Sequence, residues 1–192
     1  MSTSSLYTSL IGLDPSVVLP HGPTKIFLDE FIWHTPGLGV VAAYTPKERD
    51  TNDHFGVYRG ADQIETFGQA TVVAANAFEV CSNKQITFDQ LYLQYNFVFL
   101  RIGSVICHSF INTGEKVIVI GKIDEYKFRQ MTASGRMYKV PSDLDLQAYF
   151  ASLDKDQILQ YQLDPAFLLV TEFEGLIGRG IKVERINAHN NL

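Results

Sequence analysis

The sequence predicts an α+β domain in which a curled antiparallel sheet wraps one long central helix. Three observations carry that expectation. From Ala61 to about Val80 the apolar residues Ile64, Phe67, Val72, Ala75 and Phe78 recur at helical spacing. The same stretch is thin, because Gly68, Ala70, Ala74, Ala75 and Ala77 leave small side chains on nearly every face, as an enclosed helix requires. Around it lie β-rich runs bounded by turn residues, two before the helix and three or four after it.

In chain order, a polar start leads into "GLDPSVVLPHGP", where Pro15, Pro20 and Pro23 favour a surface-hugging lead-in over a long helix. "TKIFLDEFIWH" and "GLGVVAAYTP" read as strands joined by the turn signal "TPG", and "PKERDTND" is a loop before the helix. From Phe88 to Val140, "QLYLQYNFVFL", "GSVICHSFIN", "KVIVIGKID" and "MTASGRMYKV" read as an antiparallel meander interrupted by "RIG", "NTGE" and the charged "DEYKFRQ". Residues 1–140 are thus expected to form the main domain. Residues 141–192 are read as an extension packed on it. In that extension "SDLDLQAYFASLDKDQILQYQ" is expected to be one helix capped by Ser142, followed by a β-hairpin, "AFLLVTEFEGLIGRGIKVERI", and a polar tail.

Composition narrows the function classes. With 192 residues, 46% hydrophobic and 19% charged, the chain suits one globular core. A net charge of −5 argues against a nucleic-acid-binding surface. Cys81 and Cys107 sit in apolar surroundings without ligand-like neighbours, so reduced core thiols in a cytoplasmic protein are expected, with no metal site and no disulfide. The start lacks the pattern of a signal peptide, and the longest apolar runs are too short to span a bilayer.

One stretch asks for chemistry. "NDHFGVYRGADQIETFGQA", residues 52–70, sets Glu65 one turn into an otherwise apolar helix, where an unpaired charge is costly. Together with "LPHGPTKIFLDEF", it resembles the hot-dog fold 3-hydroxyacyl-ACP dehydratases of type II fatty-acid synthesis. Their "GHFPGxPxMPGxLxxEALAQ" signature is matched in order by His54-Phe55, Gly60, Glu65 and Gln69-Ala70, and the resemblance covers roughly residues 17–140. This chain departs from the signature in three ways. The His-to-Glu interval is three residues shorter, both signature prolines are absent, and Arg59 and Asp62 replace apolar or proline positions. The deletion falls in the loop, so the spacing from Glu65 to Gln69 is kept.

The resemblance implies a dehydratase acting on a 3-hydroxyacyl thioester, linked to acyl carrier protein or CoA, in fatty-acid or polyketide synthesis without a cofactor. His54 would be the base and Glu65 the acid, from opposite subunits of at least a homodimer. Gly60 at the helix start would hold the oxyanion, since lacking a Cβ it admits a thioester closely. Ile64, Phe67 and Phe99 would line the acyl tunnel, and Arg59 would meet the pantetheine phosphate. Lys122, Lys127, Arg129, Arg136 and Lys139 are the positions that would face an acidic carrier. Two alternatives stand beside this one: a hot-dog thioesterase, or a non-catalytic acyl-binding or partner subunit. His21 and His34 are read as structural, and His108 as a satisfied core or interface residue.

Overall fold

A computed structural model describes residues 7–184; the first six residues and the expected polar tail lie outside the described residues. The strands are β1 (Glu30–Thr35), β2 (Gly39–Tyr44), β3 (Val57–Tyr58), β4 (Tyr95–Arg101), β5 (Ser104–Cys107), β6 (Ile111–Asn112), β7 (Val117–Lys127), β8 (Gln130–Lys139) and β9 (Leu168–Lys182). Seven of them form one antiparallel sheet in the order β1-β2-β7-β8-β9-β4, with β5 pairing further along β9. β3 and β6 make a separate two-stranded ribbon.

The central helix runs without interruption through an α-helical segment Gly60–Gly68, a π-helical segment Gln69–Ala75 and a second α-helical segment Asn76–Lys84. Every residue of the π segment is buried. The small residues do what their pattern suggests: they let the sheet close on the helix. A Cβ added at Gly121 on β7 would strike the Thr71 methyl, and one at Gly178 on β9 would strike Val72.

Around β2 the sheet is buried on both faces, which explains why β2 reads as an unbroken apolar run rather than an alternating one. Val40, Ala42, Val119, Met131, Ala133 and Phe173 belong to the core around the helix. Val41, Ala43, Ile118, Ile120 and Tyr138 form a second core with Leu146, Phe150, Ile158 and Phe167. Residues 141–167 therefore cover the outer face of β1, β2 and the adjoining parts of β7 and β8.

Four expectations about elements are corrected. The segment after Ser142 is two short helices, Leu146–Ala151 and Lys155–Leu159, each capped by its own aspartate (Asp145 and Asp154). The expected C-terminal hairpin is one 15-residue strand, β9, lying between β8 and β4, so the sheet draws on both sides of residue 140. Its Gly175, at φ +61°, accommodates a bulge where the register with β8 shifts, not a reversal. "QLYLQYNFVFL" opens with a helical turn, Phe88–Tyr92, held by a Thr87–Gln90 capping box before β4 begins. Finally, "DEYKFRQ" is mostly strand: β7 and β8 reverse at Phe128 and Arg129, whose positive φ values of 52° and 63° make a tight hairpin turn without glycine.

Candidate active site

The site is built where the lead-in crosses the first turns of the central helix. Gln69, fully buried, is the fastener. Its Oε1 accepts from the Phe27 backbone N–H at 2.8 Å, and its Nε2 donates to the Lys25 carbonyl at 2.7 Å and to Glu65 Oε1 at 2.9 Å. One amide thus ties the lead-in to the helix and orients the carboxylate one turn before it. The lead-in in turn delivers His21, whose Nε2 lies 3.4 Å from the same Glu65 oxygen. Both side chains are about three-quarters shielded, at 26% and 30% exposure. Burial pushes the His21 imidazole below its ordinary pKa, and the Glu65 charge opposes part of that shift.

The helix start is held just as firmly. The Tyr58 hydroxyl bonds Thr66 Oγ1 at 2.7 Å and the Asp62 carbonyl at 3.1 Å. Gln63 donates to the Tyr58 carbonyl at 3.2 Å and also meets Thr171 of β9. Arg59 precedes the first turn with extended backbone angles, and no side chain caps the helix there. The Asp62 and Gln63 N–H groups donate to the Arg59 carbonyl, while those of Gly60 and Ala61 keep the donor capacity and positive dipole end of a free helix start. Gly60 also borders β5, since a Cβ there would lie 3.8 Å from the Cys107 sulfur.

The expected site residues separate into groups. Glu65 and Gly60 share the first turns of the helix. His54 is exposed on the short turn Asn52–His54 and makes no ion pair with Glu65 within the chain. It lines a cleft of about 340 Å³ with Lys25, Arg59 and Asp62. Arg59 is engaged there by Asp62, through Nε at 2.6 Å and a terminal nitrogen at 2.9 Å. Ile64 is half-buried, and Phe99 packs its ring where a Cβ of Gly68 would stand. Phe67 is fully buried, stacked on Phe173 at 4.3 Å and against Gly135 of β8.

Other histidines and cysteines also differ from expectation. His21, read as structural, is the imidazole that meets Glu65; a proline-flanked histidine in the lead-in was the only signal for it. His108 is exposed and paired with Glu172 at 2.7 Å on the outer face of the sheet. Cys107 is exposed, whereas Cys81 is buried. Among the described residues no His, Cys, Asp and Glu cluster has the form of a metal site, and no helix is long and apolar enough to cross a membrane.

A sheet curled around one enclosed helix, in this strand order, is the hot-dog fold, and the chain is a hot-dog fold protein. No family model matches the chain, and no curated protein does. Among solved structures, the dehydratase heterocomplex ApeI:P from Xenorhabdus doucetiae aligns with a TM-score of 0.65 at 12% identity, over 94% of this chain and 99% of that one. A 1,4-dihydroxy-2-naphthoyl-CoA thioesterase from Synechocystis aligns at 0.46 and 11% identity, over 77% of this chain and 84% of that one, too remote to argue from. At such identities the likeness concerns the fold; the chemistry has to come from the site.

Proposed function

We propose that the protein dehydrates a 3-hydroxyacyl thioester to the 2-enoyl thioester. The observation that carries this reading is the Glu65–Gln69 pair. It holds a half-buried carboxyl beside an uncapped helix start, with no Lys or Arg in ion-pair distance among the described residues. In the reaction an imidazole takes the C2 proton, and the electrons of that bond form the C2–C3 double bond. The C3–O bond breaks toward oxygen, and the hydroxyl leaves as water with the Glu65 proton. Charge that gathers on the thioester oxygen is met by the N–H groups near Gly60.

His54 is the proposed base, supplied by a second copy of the chain across a two-fold interface. Two features support that assembly. β4 pairs only with β9, and Phe99, Leu100 and Ile106 are exposed along the β4–β5 edge. Phe55, next to His54, is 97% exposed and held at φ +56°, a costly conformation for an aromatic residue that burial against a partner would repay. For the acyl carrier, an acidic protein is favoured. Lys127, Arg129, Arg179 and Lys182 gather around adjoining clefts, and none has a carboxylate in ion-pair distance among the described residues. Arg136 and Lys139, by contrast, are engaged by Glu172 and Glu115.

The test is to incubate the protein with 3-hydroxyacyl and 2-enoyl thioesters and follow water loss, water addition and free thiol together. Interconversion without thiol release is expected, and His54→Ala and Glu65→Gln should each slow it by about a hundredfold or more. Thiol release would make the protein a thioesterase. Thioester binding with neither reaction would make it an acyl-binding subunit.

A further inference from the structure

Among the described residues, Glu65 is the one acidic side chain in ion-pair distance of His21. The His21 Nδ1 is buried and meets no hydrogen-bonding group there, so the charge of the ring answers to burial and to the Glu65 carboxylate. Gln69 and His21 both address Glu65 Oε1, which leaves Oε2 without a protein partner among the described residues. A carboxyl gripped on one oxygen and open on the other is oriented for a ligand. Lys25, the nearest cation on the lead-in, reaches neither side chain within ion-pair distance, and no other titratable group does among the described residues. The two elements packed here, lead-in and helix, therefore present one acid and one imidazole to each other.

We propose that His21 is the positioning residue of Glu65, holding its carboxyl from the lead-in side, so that the protonation of His21 enters the pH response of the site. The pairing stands on the geometry; its effect on turnover rests on the dehydratase reading. Near neutral pH His21 is uncharged, because burial disfavours imidazolium. The neutral ring lies 3.4 Å from Glu65 Oε1 through Nε2 and leaves the carboxyl proton to the departing hydroxyl. As the pH falls through the His21 pKa the ring becomes an imidazolium, which holds Glu65 as the carboxylate and withholds the proton that the hydroxyl needs.

Two measurements test this. The first follows the imidazole of His21 by NMR titration, assigned by its loss in His21→Gln, in the wild type and in Glu65→Gln. Removing the carboxylate should lower the His21 pKa further, because the Glu65 charge is what opposes the effect of burial. The second is the pH profile of thioester turnover. His21→Leu should lose about tenfold in kcat, while His21→Gln, which keeps an N–H donor, should recover most of it. The glutamine variant should also lack the break on the acid limb that belongs to His21. An unchanged His21 titration in Glu65→Gln overturns the pairing, and an acid limb identical in His21→Gln and wild type overturns its role. If no thioester turns over at all, the dehydratase reading fails while the NMR titration still decides the pairing.

Discussion

Among the described residues stand two histidine–glutamate pairs in opposite settings. On the outer face of the sheet, His108 bonds Glu172 at 2.7 Å, and Arg136 bonds the other oxygen of the same carboxylate at 3.0 Å. That guanidinium also lies over the Tyr161 ring at 4.5 Å, tying the covering segment to the sheet. Glu172 is thus neutralised, and both its oxygens are occupied. Against the central helix, His21 and Gln69 meet Glu65 through a single oxygen, and no guanidinium or ammonium compensates the charge. The same two residue types serve architecture in one place and remain available for chemistry in the other. What separates them is a third partner: an arginine in the first case, a neutral amide in the second.

That contrast can be broken at several points. The largest effect is expected at Gln69. Replacing it with Leu leaves the Phe27 N–H and the Lys25 carbonyl without their partner in a buried place, at about 4 kcal/mol for the two groups together. Chemical denaturation would read that loss, and turnover should fall with it, because Glu65 loses its guide.

His34 extends the comparison to an imidazole with no acid beside it. It is 6% exposed, packs edge-on against Phe78, accepts from the Leu10 N–H at 3.2 Å, and burial pushes its pKa down to about 4. Since the folded value lies below the unfolded one near 6.5, its contribution is complete above that pH and is lost as the pH falls toward 4. The loss amounts to about 3 kcal/mol. In His34→Asn, which keeps an acceptor but does not titrate, stability should be flatter over that window.

Smaller effects should follow at Gly68 and Arg136. A Cβ in Gly68→Ala displaces the Phe99 ring, for about 2 kcal/mol, and Phe99→Ala in the same chain should relieve most of it. Arg136→Ala should cost about 1 kcal/mol or less, reduced further by salt, because the pair it breaks is partly exposed. Its turnover should be unchanged. A turnover loss at Arg136 as large as at Gln69 would erase the distinction between the two pairs.

The parts of this structure that were legible in the sequence are those set by local pattern. The helix showed in its periodicity and its small residues, and Glu65 stood out because a carboxylate there contradicts that pattern. β9 was misread for a physical reason. Gly175, Gly178 and Gly180 look like punctuation, yet Gly178 makes room for Val72 and Gly175 serves a bulge. The two C-terminal helices could have been separated by their aspartate caps, of which Asp154 with Gln157 forms a full capping box. His21 showed only as a proline-flanked histidine, and its pairing with Glu65 was not legible. Its place depends on Gln69 gripping the backbone at residues 25 and 27, a long-range contact that no spacing along the chain encodes.

The most direct measurement sets the two glutamates side by side: 3-hydroxyacyl thioester turnover and thermal midpoint for Glu65→Gln and Glu172→Gln, prepared identically. The account predicts that Glu65→Gln loses about a hundredfold in turnover with its midpoint within about 2 °C of wild type. Glu172→Gln should keep its turnover and give up a few degrees. Full turnover in Glu65→Gln together with a large fall in its midpoint would contradict the account and make Glu65 a structural group like Glu172.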